Sequence, residues 1–382
     1  MEHPKNLYRT WIEIDRHKLR QNISEFLTLL EPDTEFMAVV KSNAYGHGIV
    51  DMTKVISGLF SKFRKRTLWF GIDSIVEAVR LRKEGIRESM LVLGYTLPAR
   101  MKEASSRGIS ITISSFDSLR RAASLKKPIS IHLKFDTGMH RQGFFKKDIP
   151  KILDILKHSP SITLEGVYTH FATAKDPRHP IFTKRQHAEF LEIVKVLHRQ
   201  YSDIILHSSA SGASLLFPKM HPNMVRVGIG LYGYYPSSEV RVAMKKKIKL
   251  RPILSWRSQI SEIKKIPKGD SIGYDRTETV KRPSIIAVVP IGYWHGYDRG
   301  LSSKGRVIVG GRIAKVLGRV SMDMITIDVT RIPHVFVGDT VTIIGKDGTK
   351  AVTADDIGAM IGTSSYEILT RINPLIHKKH IG

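Results

Sequence analysis

Phe36-Met-Ala-Val-Val-Lys-Ser-Asn-Ala-Tyr-Gly-His-Gly48 is the stretch of sequence from which the fold can be worked out. Its apolar residues 36–40 are too few for a helix and predict a buried strand, which ends at Lys41 and is followed by small, turn-forming residues. Desolvation against an apolar wall favours the neutral amine of a lysine, which is the nucleophile that Schiff-base chemistry needs. On this stretch alone, a lysine that snorkels to the surface at a strand end is an equally good interpretation.

The strand that ends at Lys41 is the first of eight short apolar runs. Segments with helical periodicity lie before and between them, for example around Leu19, Ile23 and Phe26 and again around Phe190 and Ile193. Eight such units favour a (β/α)8 TIM barrel, because an open doubly wound sheet usually has fewer strands. The runs cover residues 36–40, 68–72, 90–94, 109–113, 129–134, 162–169, 204–207 and 224–229.

Beyond the basic segment Lys245–Lys249, strands follow one another without intervening helices, separated by turn residues. Ser364 and Glu367 predict a capping box that begins a short helix near the end. The predicted strands cover residues 253–263, 285–290, 306–309, 313–317, 324–329 and 340–344. The predicted domains are a TIM barrel at residues 11–245 and a mostly-β domain at residues 246–382 together with residues 1–10.

Composition narrows the possible chemistry. The 382 residues contain no cysteine, which excludes disulfides, thiolate metal sites and thiol nucleophiles and leaves lysine, serine or another residue for covalent catalysis. We predict no metal site. The polar residues 1–10 and the lack of any run of eighteen apolar residues predict a protein without a signal peptide or transmembrane helix, which we expect in the cytoplasm.

The net charge of +26 raises nucleic-acid binding as an alternative function. The basic clusters Lys62–Arg66 and Lys245–Lys249 carry neither interleaved aromatic residues nor a helix-turn-helix or zinc signature. An anionic substrate and cofactor account for the sign of the charge equally well. We therefore expect a small-molecule partner, and neither a nucleic acid nor a membrane.

Polar residues follow the predicted strands at the end where a TIM barrel carries its catalytic groups. The loops after the seventh and eighth barrel strands often bind phosphate, and Ser211 and the pair Gly228-Ile229 fall in these loops, which predicts a cofactor with a phosphate group. Arg226 is hard to explain structurally, because an unpaired guanidinium in an apolar strand is costly. The polar residues at the strand ends are Lys41, Lys134, Asp136, Arg141, Thr169, His170, His207, Ser211 and Arg226.

Residues 38–48 resemble the cofactor-lysine motif of the alanine racemases, a family of pyridoxal 5'-phosphate enzymes built from a barrel and a β domain. Further segments similar to this family follow in the family's order along nearly the whole chain. Each segment alone is weak, but the ordered set is specific. The segments are Lys134-Phe-Asp-Thr-Gly-Met-His-Arg141, Glu165-Gly-Val-Tyr-Thr-His-Phe-Ala-Thr173, Asn223-Met-Val-Arg-Val-Gly-Ile229, Ile272-Gly-Tyr274, Pro290-Ile-Gly-Tyr293, Gly318-Arg-Val-Ser-Met-Asp323 and Ser365-Tyr-Glu367.

The resemblance implies that Lys41 carries the cofactor and then serves as one acid/base. It implies that Arg226 faces the pyridine nitrogen, where a guanidinium donates a hydrogen bond but yields no proton, which leaves the cofactor a weaker electron sink. It also implies that His170 lies beside Arg226. The implied phosphate-binding positions are Tyr45, Ser211, Gly228, Ile229 and Tyr366.

Racemisation removes a proton from one face of Cα and returns one to the other face, so two bases are the simplest solution. The resemblance implies that Tyr274, from the neighbouring subunit of a homodimer, is the second base opposite Lys41. His170, Arg226 and His207 match a hydrogen-bonded chain that supports this tyrosine. The remaining implied positions are Arg141 and Met322 for the substrate carboxylate, Lys134 as a residue that the family often carbamylates, and Tyr293 and Asp323 as supporting residues.

Departures from the family pattern leave the substrate range and the strength of the dimer open. We expect interconversion of L-alanine and D-alanine, which supplies D-alanine for peptidoglycan; the alternative is a serine or broad-specificity racemase of the same fold. Decarboxylases of this architecture typically use a cysteine across the dimer, and non-enzymatic cofactor-binding barrels resemble only the first domain. The departures are Ala210, Asp275, Trp294-His295, Ser321 and the ending that begins at Pro374.

Overall fold

The structure is a computed structural model that describes residues 7–61 and 66–382. Residues 62–65 of the basic cluster Lys62–Arg66 lie outside the described residues. The chain divides into two compact units. The barrel unit comprises residues 19–44 and 49–251, and the sheet unit comprises the described residues up to Lys18, residues 45–48 and residues 252–382.

The chain begins with strand β1 (Thr10–Asp15) and the helix Arg16–Leu27, and eight parallel strands then form the nearly closed barrel that the apolar runs predict. Neighbours pair in the order β8-β7-β6-β5-β4-β3-β2-β9. A bridge between Ala210 and Arg226 links the chain after β8 to β9. The strands are β2 (Glu35–Val39), β3 (Leu68–Ile72), β4 (Ser89–Val92), β5 (Ser110–Ile113), β6 (Ile129–Lys134), β7 (Ile162–Tyr168), β8 (Ile205–His207) and β9 (Met224–Val227).

Helices alternate with these strands because their apolar residues recur at helical spacing and bury one side. In the helix Ile75–Lys83, Ile75, Ala78 and Val79 are buried, and the Ser74 hydroxyl caps the first turn by accepting from the Glu77 amide. No helix in residues 7–61 and 66–382 is long and apolar enough to cross a membrane. The remaining helices of this unit are Ile49–Phe60, Pro98–Ser106, Phe116–Ala123, Ile149–Lys157, Pro180–Leu197, Ser211–Leu216 and Ser238–Met244.

The sheet unit is built on a ten-stranded sheet in which β11-β14-β17-β16-β15-β18-β10-β1-β20 are neighbours and β19 pairs with β18. The short strands β12 and β13 pair separately. Two helices, Ala354–Ile361 and Ser365–Thr370, follow β19. The strands are β10 (Leu254–Gln259), β11 (Glu262–Ile266), β12 (Ser271–Ile272), β13 (Glu278–Thr279), β14 (Ser284–Val289), β15 (Arg306–Val309), β16 (Arg312–Leu317), β17 (Ile325–Asp328), β18 (Thr340–Asp347), β19 (Lys350–Val352) and β20 (His377–Ile381).

Two predictions about this unit need correction. Strand β1 pairs with β10 and β20, so Thr10–Asp15 belong to the sheet unit although we predicted a barrel domain from residue 11. The predicted strand 253–263 is two strands, because β10 joins β1 and β18 whereas β11 joins β14. Both errors concern partners far away in sequence, which local patterns do not reveal.

The short helix Ser365–Thr370 forms where it was predicted, but the capping box does not. Ser364 is the N-cap residue and its side chain makes no capping hydrogen bond. The Glu367 carboxylate instead accepts a hydrogen bond from the hydroxyl of Thr363. The helix start is therefore stabilised one residue earlier than the sequence motif indicates.

Candidate active site

Lys41 lies two residues after the end of β2, at the start of a left-handed turn. Ser42, Asn43, Ala44 and Tyr45 all have φ between 52° and 55°. A left-handed conformation costs a non-glycine residue about 1–2 kcal/mol, so four in succession require strong support from their surroundings. The sequence predicted a turn at this position, but none of its residue types indicated this conformation.

Asn43 and Glu77 stabilise this turn through side-chain hydrogen bonds. The Asn43 amide donates to the Glu77 carboxylate over 3.0 Å, and the Asn43 side-chain oxygen accepts from the amide of Ile49 over 3.0 Å. Glu77 also accepts from the amide of Asp73. The turn after β2 is therefore tied to the loop after β3 by one carboxylate.

The Lys41 side chain is 39% exposed, and its Nζ lies 3.9 Å from the Asp73 carboxylate. The expectation that an apolar wall desolvates this amine is therefore wrong: the strand before it is buried, but the left-handed turn carries the side chain out of the apolar layer. The amine is therefore accessible from solvent at this end of the barrel.

Ser211 and the chain after β9 form a small cluster of donors at the same end of the barrel. The Ser211 hydroxyl accepts hydrogen bonds from the amides of Gly228, at 3.0 Å, and Gly230, at 3.5 Å. Among the described residues, the amide of Ile229 has no protein acceptor. A backbone donor beside a buried hydroxyl is suited to an anionic group, and phosphate binding by Ser211, Gly228 and Ile229 stays a prediction.

Arg226 on β9 is buried, and both terminal nitrogens of its guanidinium are fully engaged. Nη1 donates to the carbonyl of His207 at 2.7 Å and to Nδ1 of the same residue at 2.9 Å. Nη2 donates to the carbonyls of Thr169 and Ser208 and lies 3.2 Å from Nδ1 of His170. No hydrogen bond to a described residue uses Nε. The group is thus fixed in one orientation with one donor left for a ligand.

Burial lowers the pKa of Arg226 to about 10, so the guanidinium remains protonated at neutral pH. The pKa values of His170 and His207 are both well below the usual value, first because both rings are buried and then because Arg226 is positively charged. Both imidazoles are therefore neutral, and the nitrogen of each that faces Arg226 is an acceptor. The predicted chain His170–Arg226–His207 is present.

Lys134 at the end of β6 is buried, and its Nζ donates to the side-chain oxygen of Gln142 over 3.2 Å. Burial, followed by the positive charges of Arg141 and Arg226, lowers the pKa of Lys134 to about 8. Asp136 accepts three backbone amides and so fixes the loop that leads to the exposed Arg141. Without modification, Lys134 is mostly protonated at neutral pH, and its positive charge repels Arg141.

The sheet unit brings three predicted residues, Tyr274, Tyr293 and Met322, to one open groove of about 780 Å³. Asp323 follows Met322 directly and is half-buried. The amides of Tyr293 and Trp294 donate to the carbonyls of Ser321 and Met322, which joins the two loops. Tyr274 is 68% exposed on a turn where Asp275 has a φ of 59° and pairs with Arg319 at 2.9 Å.

Tyr45 and Tyr366, both predicted as phosphate ligands, contact each other within the sheet unit, with ring centroids 6.0 Å apart. Burial raises the pKa of both phenols, which therefore stay protonated and able to donate. The described geometry thus gathers the predicted residues in two sets, one in each unit.

Sequence reasoning assigned no role to three residues inside the barrel that contact the site directly or through one another: His132, Glu165 and Tyr168. The ring of Tyr168 stacks on His207 with centroids 4.6 Å apart and lies 5.1 Å from the guanidinium carbon of Arg226. His132 could have been found, because it shares a strand face with Lys134 two residues later. Glu165 could not, because it lies at a register shift between β6 and β7.

The whole chain is similar to proteins of one known family. It matches the family model for the alanine racemase N-terminal domain over residues 14–236 and the model for the C-terminal domain over residues 253–380. It is 38% identical to an alanine racemase of Leptospira interrogans over 380 residues, which covers 97% of this chain and 96% of that relative.

Two solved structures extend this similarity to the whole fold. An alanine racemase of Clostridium difficile 630 has 33% identity and a TM-score of 0.90, with 99% of this chain and 97% of that chain covered. An alanine racemase of Bacillus anthracis with bound L-Ala-P has 32% identity and a TM-score of 0.91, with 99% and 96% covered. On the strength of both family models and of these full-length similarities, the chain belongs to the alanine racemase family.

Proposed function

We propose that the chain is a pyridoxal 5'-phosphate-dependent racemase that interconverts L-alanine and D-alanine with two bases, Lys41 and Tyr274. The observation that carries the proposal is the pair of basic residues at the ends of the neighbouring strands β2 and β9. Lys41 is accessible on a supported turn, whereas Arg226 is buried and fixed. A free amine beside a fixed donor suits a covalently held ring with a nitrogen to be oriented.

The residues of the barrel unit fit the cofactor. The Ser211 hydroxyl and the amides of Gly228 and Ile229 would hold its phosphate, and Nε of Arg226 would donate to its ring nitrogen. The family resemblance adds the phenols of Tyr45 and Tyr366 as phosphate donors. When bound, pyridoxal 5'-phosphate supplies an electron sink that stabilises negative charge at the substrate Cα.

Arg226 limits that electron sink. Its pKa of about 10 and its five protein acceptors keep the proton on the guanidinium, so a cofactor ring nitrogen held there would receive a hydrogen bond and not a proton. Charge at Cα is then short-lived, which favours rapid return of a proton over competing reactions. The neutral His170 and His207 preserve this arrangement, because each offers an acceptor to the guanidinium.

The two bases act on opposite faces of Cα. Lys41 accepts or returns the proton on its face through Nζ, and the hydroxyl of Tyr274 does so on the other. Tyr274 is 68% exposed in the sheet unit, and we propose that it reaches the substrate from a second copy of the chain in a homodimer. Met322 would bind the substrate carboxylate from the same copy, and Arg141 from the barrel.

Lys134 would assist Arg141 after carbamylation. Its pKa of about 8 leaves a fraction of neutral amine near pH 7.5, and that amine can add carbon dioxide to form an anionic carbamate with release of a proton. The carbamate would convert a repelling cation into an anionic partner for the Arg141 guanidinium.

In the cytoplasm, the D-alanine formed would serve peptidoglycan synthesis.

The proposal is tested by incubating the purified protein and the cofactor with L-alanine, and separately with L-serine, in deuterated water. We expect loss of optical rotation and deuterium at Cα with L-alanine, and neither change with a Lys41→Ala variant. Faster exchange with L-serine would assign the activity to a serine or broad-specificity racemase. No exchange with either amino acid would refute a racemase function.

A further inference from the structure

A line of polar groups runs from Arg226 through the interior of the barrel toward the opposite end. Nδ1 of His207 faces Nη1 of Arg226 at 2.9 Å, and Nε2 of His207 lies 2.8 Å from Nδ1 of His132. Nε2 of His132 lies 3.3 Å from the carboxylate of Glu165. His132 and His207 are fully buried, so the contact between their rings is made without competition from bulk water.

The hydrogens in this line can run in only one direction. A guanidinium is only a donor, so Nδ1 of His207 accepts and its Nε2 carries the hydrogen. That hydrogen is donated to Nδ1 of His132, which leaves the hydrogen of His132 on Nε2. Nε2 lies 3.3 Å from the Glu165 carboxylate, a close polar contact outside hydrogen-bond alignment. An ionised carboxylate is only an acceptor. The two ends of the line, Arg226 and Glu165, therefore impose the same tautomer on both imidazoles.

The packing around the rings is specific for this arrangement. The ring of His132 lies edge-on to His207, with centroids 5.0 Å apart, and edge-on to Trp69, at 5.5 Å. Gly166 on β7 leaves room for the ring, since a Cβ there would lie 2.3 Å from Nδ1 of His132. Any larger residue at this position would displace the imidazole.

Glu165 lies at the edge of a cavity of about 160 Å³ near the N-terminal ends of β4 to β7, lined also by Ser110, Ser130 and Thr163. The hydroxyl of Ser110 donates to its carboxylate. Burial alone would raise the pKa of Glu165, but its contacts with His132 and Ser110 outweigh burial and lower the pKa. The carboxylate is therefore ionised, and within the line formed by Arg226, His207, His132 and Glu165 it is the component that reaches this cavity.

We propose that Glu165 and His132 are positioning residues that fix the tautomer of His207 and thereby the orientation of Arg226. The proposal rests on the proposed function in one respect only, the role of Arg226 as donor to the cofactor ring. Without an acceptor at position 165, only the Arg226 end of the line still selects the tautomer, so the other tautomer of His132 and His207 becomes populated as well. In that tautomer, an N–H group of His207 faces the Arg226 donor, and the guanidinium is pushed out of position.

The test uses the full-length protein labelled with ¹⁵N-histidine, with and without added pyridoxal 5'-phosphate. Long-range ¹H–¹⁵N spectra report which ring nitrogen carries the hydrogen, and the His132 and His207 signals are identified from their loss in His132→Phe and His207→Phe variants. We expect both rings to be neutral with the hydrogen on Nε2 in the unaltered chain. In Glu165→Leu we expect the His207 signals to show the Nδ1–H form as well.

The His132→Phe variant provides a second reading if Glu165→Leu does not fold, because it also removes the acceptor for Nε2–H of His207. Glu35→Gln is the matched control, since Glu35 is a half-buried carboxylate at the same end of the barrel and does not contact His132. We expect this control to leave both tautomers unchanged. Unchanged His207 signals in both Glu165→Leu and His132→Phe would overturn the proposal.

Measurements of kcat and KM on Glu165 variants provide an additional test. We expect Glu165→Leu to lower kcat for alanine about tenfold, as the loss of one charged hydrogen-bond partner predicts, and to leave KM within about twofold. Glu165→Gln, whose amide oxygen can accept from His132, should recover most of kcat. The spectra do not require turnover, so an inactive unaltered chain would refute the racemase function and leave the tautomer assignment intact.

Discussion

Lys41 and Arg226 follow or lie on neighbouring barrel strands and carry the same charge, yet their surroundings are opposite. Lys41 is 39% exposed, stands at a left-handed turn and has one ion-pair partner at 3.9 Å. Arg226 is 3% exposed and donates to three backbone carbonyls and to the rings of two histidines. Strained backbone thus lies beside Lys41, whereas hydrogen bonds surround Arg226.

Lys41 and Arg226 thus meet two different requirements of the proposed cofactor site. A base that transfers protons, the role proposed for Lys41, needs freedom of its side chain, and the turn beside Lys41 is held through Asn43 and Glu77. A group that orients a ring needs a single geometry, so its side chain is enclosed by acceptors. Substitutions that exchange these properties are therefore the most informative ones, and their expected effects range from loss of racemisation to a shallow pH dependence of stability.

Lys41→Ala should cost racemisation at least about a thousandfold, because it removes both the cofactor attachment and one base. Polarimetry with L-alanine measures the effect. Asp73→Asn is the matched change: it removes only the distant ion-pair partner of Lys41 and should reduce kcat less than about fivefold, since an exposed ion pair contributes less than about 1 kcal/mol. Equal losses in both variants would contradict the role of Lys41.

Tyr274→Phe should lower kcat about a hundredfold or more in both directions, because a positioned acid/base contributes about 10²–10⁴-fold. The rates with L-alanine and D-alanine are measured separately. Tyr95→Phe serves as the control, since Tyr95 is an exposed tyrosine of the barrel unit. Unchanged rates for Tyr274→Phe in both directions would rule out the two-base assignment.

Arg226→Lys should lower the free energy of unfolding by about 3 kcal/mol, because an ammonium cannot satisfy the carbonyls of Thr169, His207 and Ser208 together. Urea denaturation measures the change. The exposed Arg241 offers the same substitution without buried partners, and Arg241→Lys should stay within about 0.5 kcal/mol of the unaltered chain. Similar values for the two variants would show that the Arg226 pocket is not rigid.

Gly166→Ala should cost about 2 kcal/mol of unfolding free energy, since the added methyl group meets the His132 ring and overpacks a buried layer. Gly58→Ala is the control within a helix, where the added methyl group meets no atom within 4 Å. It should stabilise the protein by about 0.5–1 kcal/mol through helix propensity. Destabilisation by both variants, or by neither, would contradict the close packing around His132.

Lys134 provides the smallest effect, a pH dependence of stability. Its folded pKa of about 8 lies below the usual value of 10.5, so the unfolded chain binds more protons between these values. Its contribution to stability therefore rises with pH from about 8 to about 10.5, at up to about 1 kcal/mol per pH unit. Urea denaturation of the unaltered chain and of Lys134→Met should show that slope only in the former. Parallel curves of unfolding free energy against pH for the two proteins would refute this contribution of Lys134.

The barrel and the strand-end residues were predictable because both follow from local patterns. Apolar runs of strand length marked all eight barrel strands, and a TIM barrel places strand ends on one face, which identified Ser211, Arg226 and His207. The arginine in an apolar strand was the strongest single signal, since its burial demanded partners. The structure supplies those partners as backbone carbonyls, which no sequence motif displays.

The features that were missed depend on contacts across the fold. The left-handed turn at Ser42–Tyr45 contains no glycine, and its support comes from Glu77 on another helix. Glu165 was overlooked because a register shift removes it from the regular alternation of β7. The pairing of β1 with β10 joins residues 240 or more positions apart. In each case the cause is a tertiary partner and not a residue type.

The pairing of Lys41 with a Tyr274 from a second copy is tested most directly by mixing two inactive variants. Lys41→Ala and Tyr274→Phe each spoil every site in their own homodimers, but a mixed dimer contains one site with both native residues. Co-expression should therefore restore roughly a quarter of the activity per chain, as random pairing in a twofold dimer predicts. Activity that stays at the level of the separate variants, with mixed dimers present by mass spectrometry, would contradict a site shared between two copies.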